Sequence, residues 1–207
     1  MKETAEDAGA DEIGEEMYAE PEVVPLIPDF LREEETLTGA SRGSAYHKLL
    51  ELLDFARDYD ESSLKSAIEE LRDEGKLTED MAECIRVPDI LSFLHCGSGR
   101  RMTAAAVRGQ LFKEQPFVLG VDAGEIYPGE TTEDMILVQG IIDVYFEEPD
   151  GLVVLDYKTD KVRKASELTE KYHAQLDYYG QALERLLQKP VKEKIIYSFT
   201  LKEEIKL

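Results

Sequence analysis

The sequence is poor in cysteine, in basic charge and in long apolar runs, and each shortage closes off a class of protein. Two cysteines, Cys84 and Cys96, are too few for a disulfide framework or for an iron–sulfur cluster held by four thiolates, so two reduced, mostly buried thiols are expected. No apolar stretch approaches the roughly 20 residues that a membrane-spanning helix needs. The opening Met1-Lys2-Glu3-Thr4-Ala5-Glu6-Asp7 is acidic where a secretory signal is basic and then apolar. These absences lead us to expect a cytoplasmic chain without a membrane partner. Acids outnumber bases 45 to 24, for a net charge of −21. That balance argues against broad binding to nucleic acid, because neutralising phosphates takes Lys and Arg. No G-x-x-x-x-G-K-[ST] is present, so no nucleotide-driven motor is expected within these residues.

What is present is unevenly distributed. Residues 1–35 carry 13 acids and 2 bases and show little hydrophobic periodicity, so they read as an acidic, flexible lead-in. Residues 36–207 then form one domain, which a chain of 207 residues, 43% of them hydrophobic, is long enough to build. Within it, Arg100, Arg101, Arg108 and Lys113 fall in a stretch without acids. A second basic group comprises Lys158, Lys161, Arg163, Lys164 and Lys171. Both are local positive patches on an acidic body, or ordinary solvated charge.

Helical periodicity dominates the first half. Helices are predicted from Ser41 to about Asp58, over Leu64–Arg72 with Gly75 ending it, after a Thr78 cap, from Pro88 through Phe93, and over Arg101–Arg108. Beyond Gly109 the period changes to two. Gln110–Leu119, Met135–Glu147, Leu152–Lys158 and Lys194–Leu201 are rich in Val, Ile, Phe and Tyr and are predicted strands. Pro149-Asp150-Gly151 is a turn between the second and third. Glu170–Gln188 is a long amphipathic helix stopped by Pro190. Helices followed by β-β-β-α-β imply an α/β or α+β domain around a mixed sheet.

Chemistry concentrates around the predicted hairpin. Asp156 and Lys158 are two apart on a strand, so they share a face about 7 Å apart. An even-length loop, Pro149-Asp150 or Glu148 through Gly151, sets Asp143 opposite Asp156 and on the same face. Two adjacent carboxylates repel unless a cation stands between them. Lys158 alone supplies one as a cross-strand salt bridge; a metal ion supplies another. His47 on the first helix, Glu114 on the first strand, and the stripe Tyr172, Gln175, Tyr179 on the last helix are each compatible with structure or with function.

Taken together these pieces resemble the RecB-like nuclease family of the PD-(D/E)XK superfamily. The family pattern G-x-x-x-H, E-x-P-F, G-x-I-D, D-Y-K-T and Y-x-x-Q-L-x-x-Y is met in order. The matching segments are Gly43 to His47, Glu114 to Phe117, Gly140 to Asp143, Asp156 to Thr159 and Tyr172 to Tyr179. Ala45 to Phe55 is most similar to the C-terminal nuclease domain of the larger, motor-bearing chain of AddAB-type helicase–nucleases, which lacks the iron–sulfur cluster of some relatives. With no motor motif present, an excised domain is favoured over a free-standing relative.

The resemblance implies a restriction-endonuclease-like core, with a central mixed sheet of about four to five strands flanked by helices and an N-terminal helical part. It implies Mg²⁺ or Mn²⁺ held by His47, Asp143, Asp156 and the Tyr157 carbonyl, with Lys158 positioning or deprotonating a water. Glu114 would hold a second ion or orient a water, and Gln175 would support the site. Gln175, Tyr179, Lys161, Arg100 and Arg101 are the expected DNA contacts. The implied activity is exonuclease trimming of single-stranded DNA ends, on the 3′-ended strand, in double-strand-break repair by recombination. An AddB-type partner would complete the complex. The rival expectation is a non-catalytic DNA- or protein-binding module that keeps the fold.

Overall fold

The computed structural model describes residues 42–122 and 135–207; the acidic lead-in expected over 1–35 lies outside the described residues. Helices come first: α1 (Arg42–Leu52), α2 (Glu61–Asp73), α3 (Glu79–Cys84), α4 (Val87–Leu94) and α5 (Gly97–Val107). Strands β1 (Leu111–Asp122), β2 (Met135–Glu148) and β3 (Gly151–Lys158) follow. Then come the long helix α6 (Ala165–Leu187) and strands β4 (Val191–Ser198) and β5 (Glu203–Lys206). The sheet runs β1-β2-β3-β4-β5, with β3 and β4 parallel and every other neighbour antiparallel. The parallel pair is joined through α6, the crossover that parallel strands require. This is the expected mixed α/β architecture. No helix among the described residues is long and apolar enough to cross a membrane.

Every residue of β3 is buried, because helices cover both faces of the sheet. On one face Tyr46, Leu49 and Leu50 of α1, Phe93 of α4 and Met102 of α5 pack against Val144, Phe146, Val153, Leu155, Tyr157 and Tyr197. On the other, Tyr179 and Leu183 of α6 meet Tyr145, Leu152 and Val154, while Leu168, Tyr172 and Leu176 meet Ile196.

Element boundaries move where tertiary contacts override local pattern. The first helix stops at Leu52 rather than near Asp58, because the Lys113 ammonium reaches from β1 to the Leu50 and Leu53 carbonyls, at 3.4 and 2.7 Å. Those are orphan acceptors at the helix end, and a cation suits them. Leu53 and Phe55 still enter the core, but from non-helical backbone. The fifth helix begins at Gly97, four residues before the predicted Arg101, despite Gly97-Ser98-Gly99. Its first turn is secured by Cys96, whose Sγ accepts from the Gly99 N–H, and by Glu204 of β5, whose carboxylate accepts from the Ser98 N–H. Gly99 is required there: a Cβ would stand 2.2 Å from the Phe93 carbonyl oxygen. The long helix starts at Ala165, earlier than Glu170, because Glu167 Oε1 accepts from the N–H groups of Arg163 and Lys164. Strand β5 was not predicted; its four residues are too few for a pattern to register.

Candidate active site

The site forms where β1 and β2 turn over. Val144 and Phe146 face α1, whereas Val138 and Ile142 face α6, so the two-residue alternation slips by one at Asp143. Strand β1 slips at the matching place: Lys113 reaches α1, yet Phe117, Leu119 and Val121 face α6. Between them lies Glu114, with φ +49, a left-handed backbone that a non-glycine residue adopts at a cost. Lys113 pairs with Val144 and Gln115 with Ile142, which sets Glu114 opposite Asp143. Both strands invert at one cross-strand pair, and that pair is two carboxylates.

The hairpin register is the predicted one. Glu148 pairs with Gly151 around the two-residue loop Pro149-Asp150, and Val144 with Leu155, so Asp143 comes opposite Asp156 one step on. The slip nevertheless turns Asp143 aside. Its Oδ2 accepts from the Tyr157 N–H at 2.9 Å, and its Oδ1 is 3.5 Å from His47 Nδ1. His47 Nε2 donates to the Tyr157 carbonyl at 3.0 Å; a carbonyl only accepts, so Nε2 carries a proton and Nδ1 is the nitrogen left for a ligand. One ligand atom each from His47, Glu114 and Asp143 lie within 4.8 Å of one another. Imidazole nitrogen with carboxylate oxygen is a donor set that fits a divalent metal. Asp156 is not in that compact group, so Glu114 occupies the place the sequence reading gave to Asp156.

Asp156 and Lys158 form the adjoining half. Lys158 Nζ is 2.9 Å from Asp156 Oδ2, and both groups are buried. The approach lacks hydrogen-bond direction, so neither Asp156 oxygen has a conventional donor among the described residues. Lys158 Nζ also lies 4.2 Å from the centre of the Tyr172 ring, whose hydroxyl donates to Asp160.

Three carboxylates in a buried space shift one another. Burial drives the Glu114 carboxyl up to about 7, reinforced by Asp143. Burial likewise lifts Asp156 to about 7, with Lys158 opposing and Asp143 adding. Asp143 goes the other way: burial would raise it, but the His47 imidazolium and Lys158 hold it below the usual carboxylate range. Burial would depress His47, yet Asp143 and Asp156 outweigh it and bring the imidazole to about 9. Lys158 is raised in the same way, burial being outweighed by Asp156 and then Asp143. The arrangement therefore separates carboxylates of different basicity around two cations, a pattern typical of functional sites.

Other expected residues are placed differently. Gln175 is buried and donates to the Tyr179 hydroxyl at 2.6 Å, with its own Oε1 unpartnered among the described residues. Tyr179 is 2% exposed and packs edge-on against Phe117, so it is a core residue and not a surface for DNA. Arg101 is taken up by Glu148 and Glu193 at the hairpin end of the sheet, five residues along β2 from Asp143, about 17 Å. Its role as a DNA contact does not survive that geometry. Arg100 is exposed on α5, and Lys161 is exposed just beyond β3. Sequence reasoning overlooked Arg42, which donates to the Thr159 carbonyl at 2.9 Å and ties the start of α1 to the end of β3. Its position beside Gly43 in G-x-x-x-H was the available signal.

A family model described as the PD-(D/E)XK nuclease superfamily matches residues 26–206. Among curated relatives, the first of the named subunits of the ATP-dependent helicase/nuclease of Lachnoclostridium phytofermentans is 38% identical, over 89% of this chain and 16% of its own length. The protein of the same name from Thermoanaerobacter sp. strain X514 is 39% identical, over 83% and 14%. That from Acetivibrio thermocellus is 36% identical, over 90% and 15%. The chain thus spans about a sixth of the length of the curated relatives it matches.

Proposed function

Since this chain belongs to the PD-(D/E)XK nuclease superfamily, we propose that it hydrolyses DNA phosphodiester bonds with a divalent metal, trimming single-stranded ends as an exonuclease. The observation that carries this reading is the convergence of His47, Glu114 and Asp143 within 4.8 Å beside the Asp156–Lys158 pair. We assign Mg²⁺ or Mn²⁺ to His47, Glu114 and Asp143, with Asp156 and the Tyr157 carbonyl as the adjoining oxygen donors. A divalent ion supplies Lewis acidity toward a phosphoryl oxygen and acidifies water.

The chain's own groups do the rest. The Tyr157 main chain fixes both sides of the site, its N–H holding Asp143 and its carbonyl orienting the His47 ring. Lys158, kept as an ammonium by Asp156, offsets charge developing on phosphate oxygens and directs the attacking water. Tyr172 shields Lys158 from the α6 side and keeps its stem in place. Gln175 supports Tyr179 and, through it, the packing of α6 behind the site.

The relatives are named as subunits of an ATP-dependent helicase/nuclease. For this chain we propose the same setting: a nuclease domain acting on ends from double-strand breaks during recombination, beside an AddB-type partner. End-labelled single-stranded DNA incubated with the chain tests the reading. Cutting with Mn²⁺ or Mg²⁺, loss of cutting with chelator, and loss in Asp143→Asn are expected. Intact DNA under every metal would defeat it.

A further inference from the structure

Cations without partners are rare on this acidic chain, and they are not scattered. Among the described residues, most Lys and Arg side chains engage a carboxylate, a carbonyl or a ring. Lys161, Arg163 and Lys164 engage none, and all three are exposed. They fall within four consecutive residues, in the connection from β3 to α6. That connection begins directly after Lys158, so the Lys161 Cα is at most about 11 Å from that of Lys158.

The acids nearby have been turned away from them. Asp160 accepts from Lys171 Nζ at 2.8 Å and from the Tyr172 hydroxyl at 2.9 Å. Glu167 is spent on the main-chain N–H groups of Arg163 and Lys164, at 3.1 and 3.0 Å. Arg42 pins the root of the loop through Thr159. The loop is thus fixed at both ends, while its three side-chain charges point to no group of the protein. In a chain of net charge −21, cations would find carboxylates unless the local structure withheld them.

We propose that Lys161, Arg163 and Lys164 form a phosphate grip that holds the backbone of a DNA strand next to the reacting phosphodiester. This rests on the nuclease reading and extends it by naming the part of the surface that meets the substrate. The partner chemistry is a run of phosphodiester anions, which a row of point charges on a pinned backbone can neutralise with little loss of entropy. The grip reads no bases. It gives an acidic protein a local positive entrance to a site already crowded with carboxylates.

The test is binding of a fluorescent oligothymidylate to the full chain, in chelator, across a range of salt. The Lys161→Gln/Arg163→Gln/Lys164→Gln variant should bind about tenfold or more weakly at low salt. The slope of log K against log salt should become shallower by about 2, because each single-strand phosphate contact contributes about 0.7. A variant with the same charge loss elsewhere, Lys65→Gln/Arg72→Gln/Lys76→Gln on α2, should bind like the parent. The charge-preserving exchange Lys161→Arg/Arg163→Lys/Lys164→Arg should also bind like the parent, which separates charge from loop conformation. Unchanged slope in the loop variant, equal loss in the α2 variant, failure of the charge-preserving exchange, or no binding by the parent would each overturn the grip. A chain that binds through the loop yet never cuts with Mn²⁺ would instead remove the nuclease reading and leave the grip standing.

Discussion

Glu114 stands opposite Asp143 at the single place where β1 and β2 exchange the faces their side chains present. Strain and like charge meet at that pair. A left-handed non-glycine residue costs about 1 kcal/mol or more, and two facing acids add repulsion. Such costs persist in folded proteins chiefly at working sites.

Glu114→Gly is therefore expected to stabilise the fold by about 1 kcal/mol while weakening Mn²⁺ binding tenfold or more. Urea unfolding and isothermal titration calorimetry check the two halves. A variant that is less stable than the parent, with metal affinity intact, would show that the carboxylate serves structure there.

The Asp156–Lys158 pair gives a second prediction. Removing one member of a buried ion pair strands the other, at about 3–5 kcal/mol. Asp156→Leu and Lys158→Met should each destabilise by about that much. The double variant should recover to within about 1 kcal/mol of the parent or exceed it, since an apolar pair suits the interior. All three should lose cutting. Additive losses in the urea cycle would contradict this.

How much of this could be read from the sequence depends on whether the cause was local. The Pro149-Asp150 loop and the opposition of Asp143 to Asp156 were legible, because turn chemistry and a period of two fix register within one hairpin. The helices capped by Thr78 and ended by Gly75 were legible for the same reason. The substitution of Glu114 for Asp156 in the compact group was not. It follows from a slip shared by two strands, which no alternation within either one announces. Tyr179 misled because its spacing from Gln175 is equally that of a core stripe, and the ring of Phe117 that buries it lies 62 positions away. Arg101 misled because its acids, Glu148 and Glu193, are brought to it only by the sheet.

Gly99→Ala tests the close approach of α4 and α5. The new methyl would lie 2.2 Å from the Phe93 carbonyl oxygen, a main-chain atom that cannot swing away. A loss of about 3 kcal/mol is expected. A urea midpoint equal to that of the parent would mean that the helices separate easily.

Acid should loosen the far end of the sheet in a defined window. Hydrogen bonds from Arg101, joined by Lys192, pull the Glu148 carboxyl from 4.5 down to about 2. A carboxyl held lower in the folded state stabilises it above its unfolded value, and that contribution fades as pH falls from about 4.5 toward 2. Glu148→Gln should be less stable than the parent at pH 7, with the gap narrowing steadily below pH 4.5. A gap that widens in acid would reverse the sign.

The carboxylate that secures the first turn of α5 belongs to Glu204, more than a hundred residues further along the chain. Until that short final strand docks, α5 keeps bare N–H groups, and the layer over β3 lacks one of its supports. Assembly of the helical half is thereby made conditional on the sheet's outer edge, so the two halves should melt together. Long-range closure of this kind slows folding, and it ties the shape of the catalytic face to a carboxylate on the rim.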